Sequence, residues 1–214
     1  MEQVIQQILN ALTIGSIYAL IALGYTMIYG IMKLINFAHG DIFMLGAYMS
    51  YVAIVKFNWP FLAALVYAMV VCGFVGFLIE RIAYRPLRNA SRVSALITAI
   101  GVSLLIQNLV IKFFGADIIA LPSVALFRSI KIGNILISGN KIVIFSTTII
   151  LLIVLQIIVY RTNFGRAMRA VSTDAEAASL MGINVNKTIT MTFIMGSVLA
   201  AAAGTLVANT TSRR

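Results

Sequence analysis

The chain has 214 residues, of which 61% are hydrophobic and only 10% are charged. A soluble domain carries about 25% charged residues, so this composition excludes an ordinary water-soluble protein and indicates a membrane protein. The formal net charge is +10, but the Lys and Arg residues flank apolar runs, which favours phospholipid head groups over nucleic acid as their partner.

Uncharged runs of the length needed for a transmembrane helix recur along the chain. Crossing the hydrocarbon core takes about 20 residues at ~1.5 Å per residue. A further run, 42–55, is too short unless 34–41 enters the membrane with it. Barrel strands are about half as long and alternate in polarity, which these runs do not. The sequence therefore predicts an all-α polytopic bundle of about six helices in a single domain over 1–214. The five long runs are 3–32, 57–79, 93–111, 142–160 and 188–212.

The stretch K-L-I-N-F-A-H-G-D at 33–41 places a dense polar cluster, with the only histidine of the sequence, inside an apolar tract. Asn36 and Gly40 are poor residues for a helix interior, and Asp41 is costly in lipid unless water or a partner reaches it. Irregular backbone at membrane depth is tolerated only beside a cavity or inside protein. We therefore expect a broken second helix over 34–41, with Asn36, His39 and Gly40 facing a solute path. The alternative for His39 is a histidine at the membrane interface with its hydrogen bonds satisfied.

Basic residues concentrate in two segments between the runs, 80–92 and 161–187. Two helices, 93–111 and 142–160, separate these segments, so both lie on the same side of the membrane. The positive-inside rule assigns that side, which also carries Lys33, to the cytoplasm. The excess of basic residues on this side is modest.

The predicted helix 93–111 carries several polar residues. Thr98 and Asn108 fall near one face, and Ser103 with Gln107 forms an i, i+4 pair beside it. Such residues either form hydrogen bonds between helices, worth about 0.6 kcal/mol each, or line a path for a polar solute. The pattern leaves both interpretations open, and Thr98, Gln107 and Asn108 are the candidates for the path.

The segment between 112 and 141 contains β-branched residues around Gly133-Asn134. Two short apolar stretches on either side of a Gly-Asn pair predict a β-hairpin over 129–138. An irregular loop resting on the bilayer is the alternative interpretation.

Small residues recur at every fourth position in two of the predicted helices. At this spacing they form a smooth stripe against which another helix packs closely. The two stripes are Gly196, Ala200, Gly204 and Ala208, and Ala11, Gly15 and Ala19.

The segment 165–187 predicts a short helix outside the membrane. Thr173 followed three residues later by Glu176 is the pattern of a capping box, and Gly182 is able to close the helix in the left-handed conformation. The expected helix has about eight residues over 174–181, on the order of 12 Å. It is either a plain linker turn or a rigid element that another protein grips.

Three motifs resemble one transporter family. Glu176, Ala177 and Ala178, with Gly182 four residues after the second alanine, resemble the EAA loop of ABC import permeases, which docks into the ATPase subunit. The wider string G-R-A-M-R-A-V-S-T-D-A-E-A-A-S-L-M-G-I-N-V resembles permeases of branched-chain amino acid importers of the LivH type. So do I-N-F-A-H-G-D at 35–41 and L-I-T-A-I-G-V-S-L-L-I-Q-N-L at 96–109. The resemblance covers essentially the whole chain.

The resemblance implies a permease subunit that moves branched-chain amino acids across the bacterial cytoplasmic (inner) membrane by alternating access. The implied partners are ATP-binding cassette subunits, a second related permease, an extracytoplasmic solute-binding protein and the lipid bilayer. Related importers have a broken second helix beside the translocation route. The family chain continues beyond residue 214, so the expectation is a permease domain without its C-terminal part. The residues implied in ATPase coupling are Thr173, Glu176, Ala177, Ala178 and Gly182.

Enzymatic chemistry has little support in the sequence. His39 and Asp41 are two residues apart, which directs them to different sides of a helix. One histidine and one cysteine do not make a metal cluster, and the sequence contains no G-x-x-x-x-G-K-[ST] phosphate-binding motif. We expect no enzyme, metal or cofactor. If the protein pumps a solute, the absence of an ATP-binding motif means that a separate subunit supplies the energy. The alternatives are a self-contained channel or secondary transporter for a small polar solute, and a non-functional fragment.

Overall fold

The structure, a computed structural model, describes residues 2–88, 90–117, 130–132 and 135–211. Within these ranges six helices are long and apolar enough to cross a membrane, which confirms the predicted all-α transmembrane bundle. Apolar runs become helices because lipid offers the backbone no hydrogen bonds. The elements in chain order are α1 (Glu2–Met32), α2 (Ala38–Tyr51), α3 (Phe61–Ile79), α4 (Arg92–Phe114), β1 (Ile130–Ile132), β2 (Ile135–Ile137), α5 (Gly139–Arg161), α6 (Asn163–Thr173), α7 (Ala175–Leu180) and α8 (Val185–Thr211).

The predicted break before the second membrane-spanning helix is present, but it is shorter than expected. α1 ends at Met32, and Lys33 has a positive φ of 54° that turns the chain. The non-helical segment covers only 33–37, because α2 begins at Ala38 and includes His39, Gly40 and Asp41 in its first turn. α2 then continues as a π-helix to Lys56. The 19-residue span from Ala38 to Lys56 is therefore long enough to cross the membrane.

The basic segment 80–92 is not the loop that the charge pattern predicted. α3 continues as a π-helix over Glu80–Tyr84 and as a 3-10 helix over Arg85–Leu87. Glu80 and Tyr84 are buried in this extension. Both side chains have hydrogen-bond partners there: Glu80 accepts from Arg88 and from Thr190 of α8, and the Tyr84 hydroxyl donates to Asn36 in the turn before α2.

α8 lies at the centre of the bundle and packs against α1, α2 and α3. Its small-residue stripe makes the predicted close contacts. Cβ atoms built at Gly196 and Gly204 would lie 2.9 Å from the Gly24 carbonyl oxygen and 2.0 Å from the Phe43 carbonyl oxygen. Only glycine permits backbones to approach this closely, so these residues set the distances of α8 from α1 and α2.

The second predicted stripe, on α1, makes no such contact. Ala11 and Gly15 are exposed and Ala19 is half-buried. A Cβ at Gly15 would meet nothing within 4 Å among the residues described here. Periodicity identified a face of small residues, but no helix among the described residues packs closely against Gly15.

The two charged segments lie at one end of the bundle, as predicted. Arg88, after the α3 extension, donates a hydrogen bond to Asn186 Oδ1 in the first turn of α8. The turn after α1 is at the same end, because Tyr84 Oη donates to Asn36 Oδ1 over 3.0 Å. We call this the basic end.

The opposite end carries the predicted hairpin. β1 and β2 pair antiparallel, with Ile130 opposite Ile137 and Ile132 opposite Ile135. β2 leads directly into α5, and the Asn140 amide donates to the Asn209 carbonyl oxygen of α8 over 3.3 Å. The Gly133-Asn134 pair itself lies outside the described residues. The hairpin prediction is confirmed by the strand pairing.

Candidate functional site

A groove of about 450 Å³ lies between α1 and the turn that leads into α2. It brings together Asn36, His39 and Gly40, the three residues at the break that were predicted to face a path. The rest of its wall is apolar or aromatic. We call it the α1–α2 groove, and its lining residues are Tyr18, Ile21, Ala22, Tyr25, Ile35, Asn36, Phe37, His39 and Gly40.

His39 is 2% exposed and is held against α1. Its Nε2 lies 3.3 Å from the Ile21 carbonyl oxygen, and its ring meets Tyr25 edge-on at 5.8 Å between centroids. A carbonyl oxygen only accepts, so Nε2 carries the proton and the neutral ring has its acceptor at Nδ1. Within the described residues, the buried Nδ1 has no hydrogen-bond partner. His39 is thus only partly satisfied.

Asn36 is also 2% exposed, although it belongs to no helix. Its Oδ1 accepts the Tyr84 hydroxyl described above, and the Tyr84 ring packs on Phe193 with 5.2 Å between centroids. Its Nδ2 donor is buried without a partner in the part of the chain that the structure describes. The irregular backbone before α2 is therefore held in place by a side chain of the α3 extension.

Asp41 faces away from this groove, as its two-residue spacing from His39 predicts. Gln107 Nε2 on α4 donates to Asp41 Oδ1 over 2.9 Å and lies 3.2 Å from Ser103 Oγ. The polar pattern of α4 allowed either hydrogen bonds between helices or the lining of a path, and Gln107 makes a hydrogen bond between helices. It satisfies Asp41 Oδ1, whereas the buried Oδ2 has no hydrogen-bond partner within the described residues. The helix dipole also favours a carboxylate in the first turn of α2.

The other two candidates on α4 bond to their own helix. Thr98 Oγ1 donates to the Ser94 carbonyl oxygen over 3.0 Å, and Asn108 Nδ2 donates to the Leu104 carbonyl oxygen over 2.7 Å. Gln107 and Asn108 are exposed on the outer surface of the bundle. Thr98, Gln107 and Asn108 therefore do not line the α1–α2 groove, and their role in a path stays a prediction.

The short helix of the predicted coupling segment is present, but the predicted capping box is wrong. α7 has six residues rather than about eight, and Asp174 is its N-cap, accepting from the amides of Glu176 and Ala177 at 2.9 and 3.0 Å. Thr173 is the last residue of α6, and its hydroxyl donates to the Arg169 carbonyl oxygen. The carboxylate of Asp174 takes the cap because α6 already holds Thr173 in helical conformation.

The C-terminal end of α7 closes as predicted. Gly182 has φ +82°, its amide donates to Ser179, and the Ile183 amide donates to Ala178. These two hydrogen bonds together form the pattern of a Schellman motif. Both ends of α7 are therefore capped by the segment itself, which makes the helix a defined local element.

α7 presents an exposed apolar tip. Ala178 is buried and anchors the helix, whereas Glu176 and Ala177 are exposed. Leu180 and Met181 are 89% and 84% exposed. Two large apolar side chains side by side on a structured, charged surface are typical of a protein contact site.

Sequence reasoning missed a buried charged cluster at the basic end. Glu80, which is completely buried, accepts from Arg88 and, over 2.7 Å, from the Thr190 hydroxyl of α8. Burial lowers the pKa of the Arg88 guanidinium, while the neighbouring Glu80 opposes this shift. The cluster ties the α3 extension to the first turns of α8, which follows α7. The only signal in the sequence was one acidic residue beside four arginines.

The family model and the relatives that match this chain are all described as permeases for branched-chain amino acid transport. A family model described as "branched-chain amino acid transport system / permease component" matches residues 7–214. The permease protein LivH of the high-affinity branched-chain amino acid transport system of Escherichia coli K12 is 42% identical over 95% of this chain and 70% of its own length. LivH of Salmonella typhimurium and BraD of Pseudomonas aeruginosa are each 40% identical with the same coverage. No solved structure matches the chain.

Proposed function

This chain belongs to the branched-chain amino acid transport permease family and is a multi-pass protein of the cytoplasmic membrane, and we propose that it is the membrane-spanning subunit of an ABC importer for leucine, isoleucine and valine. The basic end faces the cytoplasm. ATP-binding cassette subunits supply the energy, an extracytoplasmic binding protein delivers the amino acid, and a second related permease completes the membrane domain.

One observation in particular supports ATPase docking, namely the doubly capped α7 with Leu180 and Met181 exposed at its tip. A gripped element transmits motion only if it does not bend, and the caps at Asp174 and Gly182 restrict bending. The Glu80–Arg88–Thr190 cluster then links α8, directly after α7, to α3. Movement of α7 would therefore reach two membrane-spanning helices. Of the residues implied in coupling, Glu176 and Ala177 would meet the ATPase, and Ala178 would anchor α7 to the bundle.

The translocation path is formed in part by the α1–α2 groove, with Asn36, His39 and Gly40 in its wall. The outer face of α4 supports the presence of a second permease. Gln107 and Asn108 are exposed there on a helix long and apolar enough to span the membrane, and polar side chains in such helices usually face other protein or a water-filled path. A neighbouring subunit would cover this face and enclose with it a further part of the path, lined by Thr98, Gln107 and Asn108.

The test is ATP-driven leucine uptake by the complete importer reconstituted in proteoliposomes. Glu176→Lys is expected to abolish ATPase stimulation and uptake while membrane insertion and thermal stability remain, because Glu176 is exposed. Asp117→Lys, an exposed charge reversal near the opposite end, is the matched control. Leucine uptake without ATPase subunits, or normal ATPase stimulation in Glu176→Lys, would contradict the proposal. Absence of uptake by the wild-type importer would favour a non-functional chain.

A further inference from the structure

The α1–α2 groove contains hydrogen-bonding groups of opposite character. Asn36 Nδ2 is a donor, and His39 Nδ1 is an acceptor because Nε2 carries the ring proton and donates a hydrogen bond to the Ile21 carbonyl oxygen. Each residue is 2% exposed, and both atoms lack a partner within the described ranges. Leaving a buried donor or acceptor unpaired is costly. Two such atoms on residues that line the same groove indicate that a polar ligand belongs there.

The N-terminus of α2 lies at the same groove, since His39 and Gly40 of its first turn are lining residues. No side chain caps its first turn among the described residues, and the first amides of an α-helix have no acceptor within the helix. The His39 amide donates to the Asn36 carbonyl oxygen over 3.3 Å. The positive end of the α2 dipole favours an anion. Asp41, although it is in the first turn, does not supply that anion in the groove, because its carboxylate accepts from Gln107 on the other side of the helix.

The remaining wall of the groove suits an apolar side chain. Ile21, Ile35 and Phe37 contribute hydrocarbon surface beside the polar groups. The groove is open at Gly40, where an added Cβ would meet nothing within 4 Å in the structure as described. A ligand with an anionic group, a cationic group and a short apolar chain matches all of these features.

We infer that the α1–α2 groove binds the zwitterionic head group of the transported amino acid. The Asn36 amide and the first amides of α2 donate to the carboxylate. His39 Nδ1 accepts a hydrogen bond from the ammonium group, and the apolar wall holds the branched side chain. This inference rests on the proposed import function, but it assigns recognition to particular atoms that the family relationship does not identify.

The inference is tested by binding of radiolabelled leucine to the complete permease–ATPase complex in lipid nanodiscs. Asn36→Asp keeps the acceptor for Tyr84 but replaces the free donor by an oxygen, so leucine affinity should fall on the order of tenfold to a hundredfold. His39→Gln retains a donor that reaches Ile21 and lacks the Nδ1 acceptor, so it should lose affinity. His39→Asn keeps a polar atom near Nδ1 and should lose less.

A second set of variants fills the groove without altering its polar groups. Gly40→Leu should block leucine binding while the melting temperature is retained, since its Cβ has open space. Gly101→Leu is the matched control, because Gly101 on α4 is equally open within the described part of the chain. Competing ligands test the two head-group contacts separately. 4-Methylpentanoate lacks the ammonium group and isopentylamine lacks the carboxylate, so each should compete at least about tenfold more weakly than leucine.

The outcomes separate this inference from the proposed function. Normal leucine binding and ATP-driven uptake in Asn36→Asp and Gly40→Leu would overturn the site and leave the import function standing. Absence of leucine binding to the wild-type complex, or equal competition by all three ligands, would also overturn the site. Leucine binding that the variants abolish, in a wild-type complex without ATP-driven uptake, would support the site and contradict the import function.

Discussion

Removal of Arg88 should destabilise the protein far more than removal of a neighbouring arginine. Glu80 is completely buried and Arg88 is 17% exposed in its side chain. Arg88→Met leaves the carboxylate of Glu80 in the bundle with the Thr190 hydroxyl as its remaining side-chain partner among the described residues. Breaking a buried ion pair from one side costs about 3–5 kcal/mol, which raises the equilibrium constant for unfolding by on the order of a hundredfold or more.

The double variant Glu80→Met/Arg88→Met provides the decisive comparison. Replacing both members of a buried pair by apolar side chains of similar volume is often close to neutral. The double variant should therefore be more stable than Arg88→Met alone, with a coupling energy of about 2 kcal/mol or more. Arg81→Met, an exposed arginine of the same segment, is the control and should change stability by less than about 0.5 kcal/mol.

The measurement is the free energy of unfolding in mixed detergent micelles, followed by circular dichroism during denaturation with a harsh detergent. Two results would refute the reasoning. One is an Arg88→Met variant as stable as Arg81→Met. The other is a double variant whose loss of stability equals the sum of the two single losses.

Three further predictions concern packing, capping and docking. Gly204→Ala should lower thermal stability, because its Cβ would lie 2.0 Å from a backbone oxygen of α2 and such overpacking costs about 1–3 kcal/mol. Gly15→Ala is the control: its Cβ has open space, so the melting temperature should stay unchanged or rise. Asp174→Ala should cost about 1 kcal/mol of local stability in α7, which would be seen as faster amide hydrogen exchange in this helix. Thr173→Ala should not have this effect. Equally fast exchange in the two variants would show that Thr173 also caps α7. Leu180→Asp should reduce ATPase stimulation without changing the melting temperature, since the side chain is almost fully exposed; unaltered stimulation would remove Leu180 from the docking surface.

Particular motifs in the amino-acid sequence are sufficient to indicate the family. The EAA-like string around Glu176 and the segment containing His39 point to it, and the relatives confirm it. The geometry of the same motifs was predicted less well. The capping residue is Asp174 rather than Thr173, and the helix break lies at 33–37, just before His39.

The sequence by itself determined which segments cross the membrane. Helices are the structure that satisfies the backbone of an apolar run in lipid, so run length sets their number. It also indicated where α8 permits close approach, because the small residues Gly196 and Gly204 are a local property of the chain. The break before α2 was likewise readable from Asn36, a residue that is costly inside a helix.

Only the tertiary structure decided which polar groups meet. Glu80 and Thr190 lie 110 positions apart, and Asp41 and Gln107 lie 66 apart. No local pattern sets such a pairing, because it depends on the rotation of each helix about its own axis. The same rotations directed the stripe at Gly15 outward and brought Asn36 and His39 into one groove. Local energetics specify helices, but the mutual packing of several helices specifies the site.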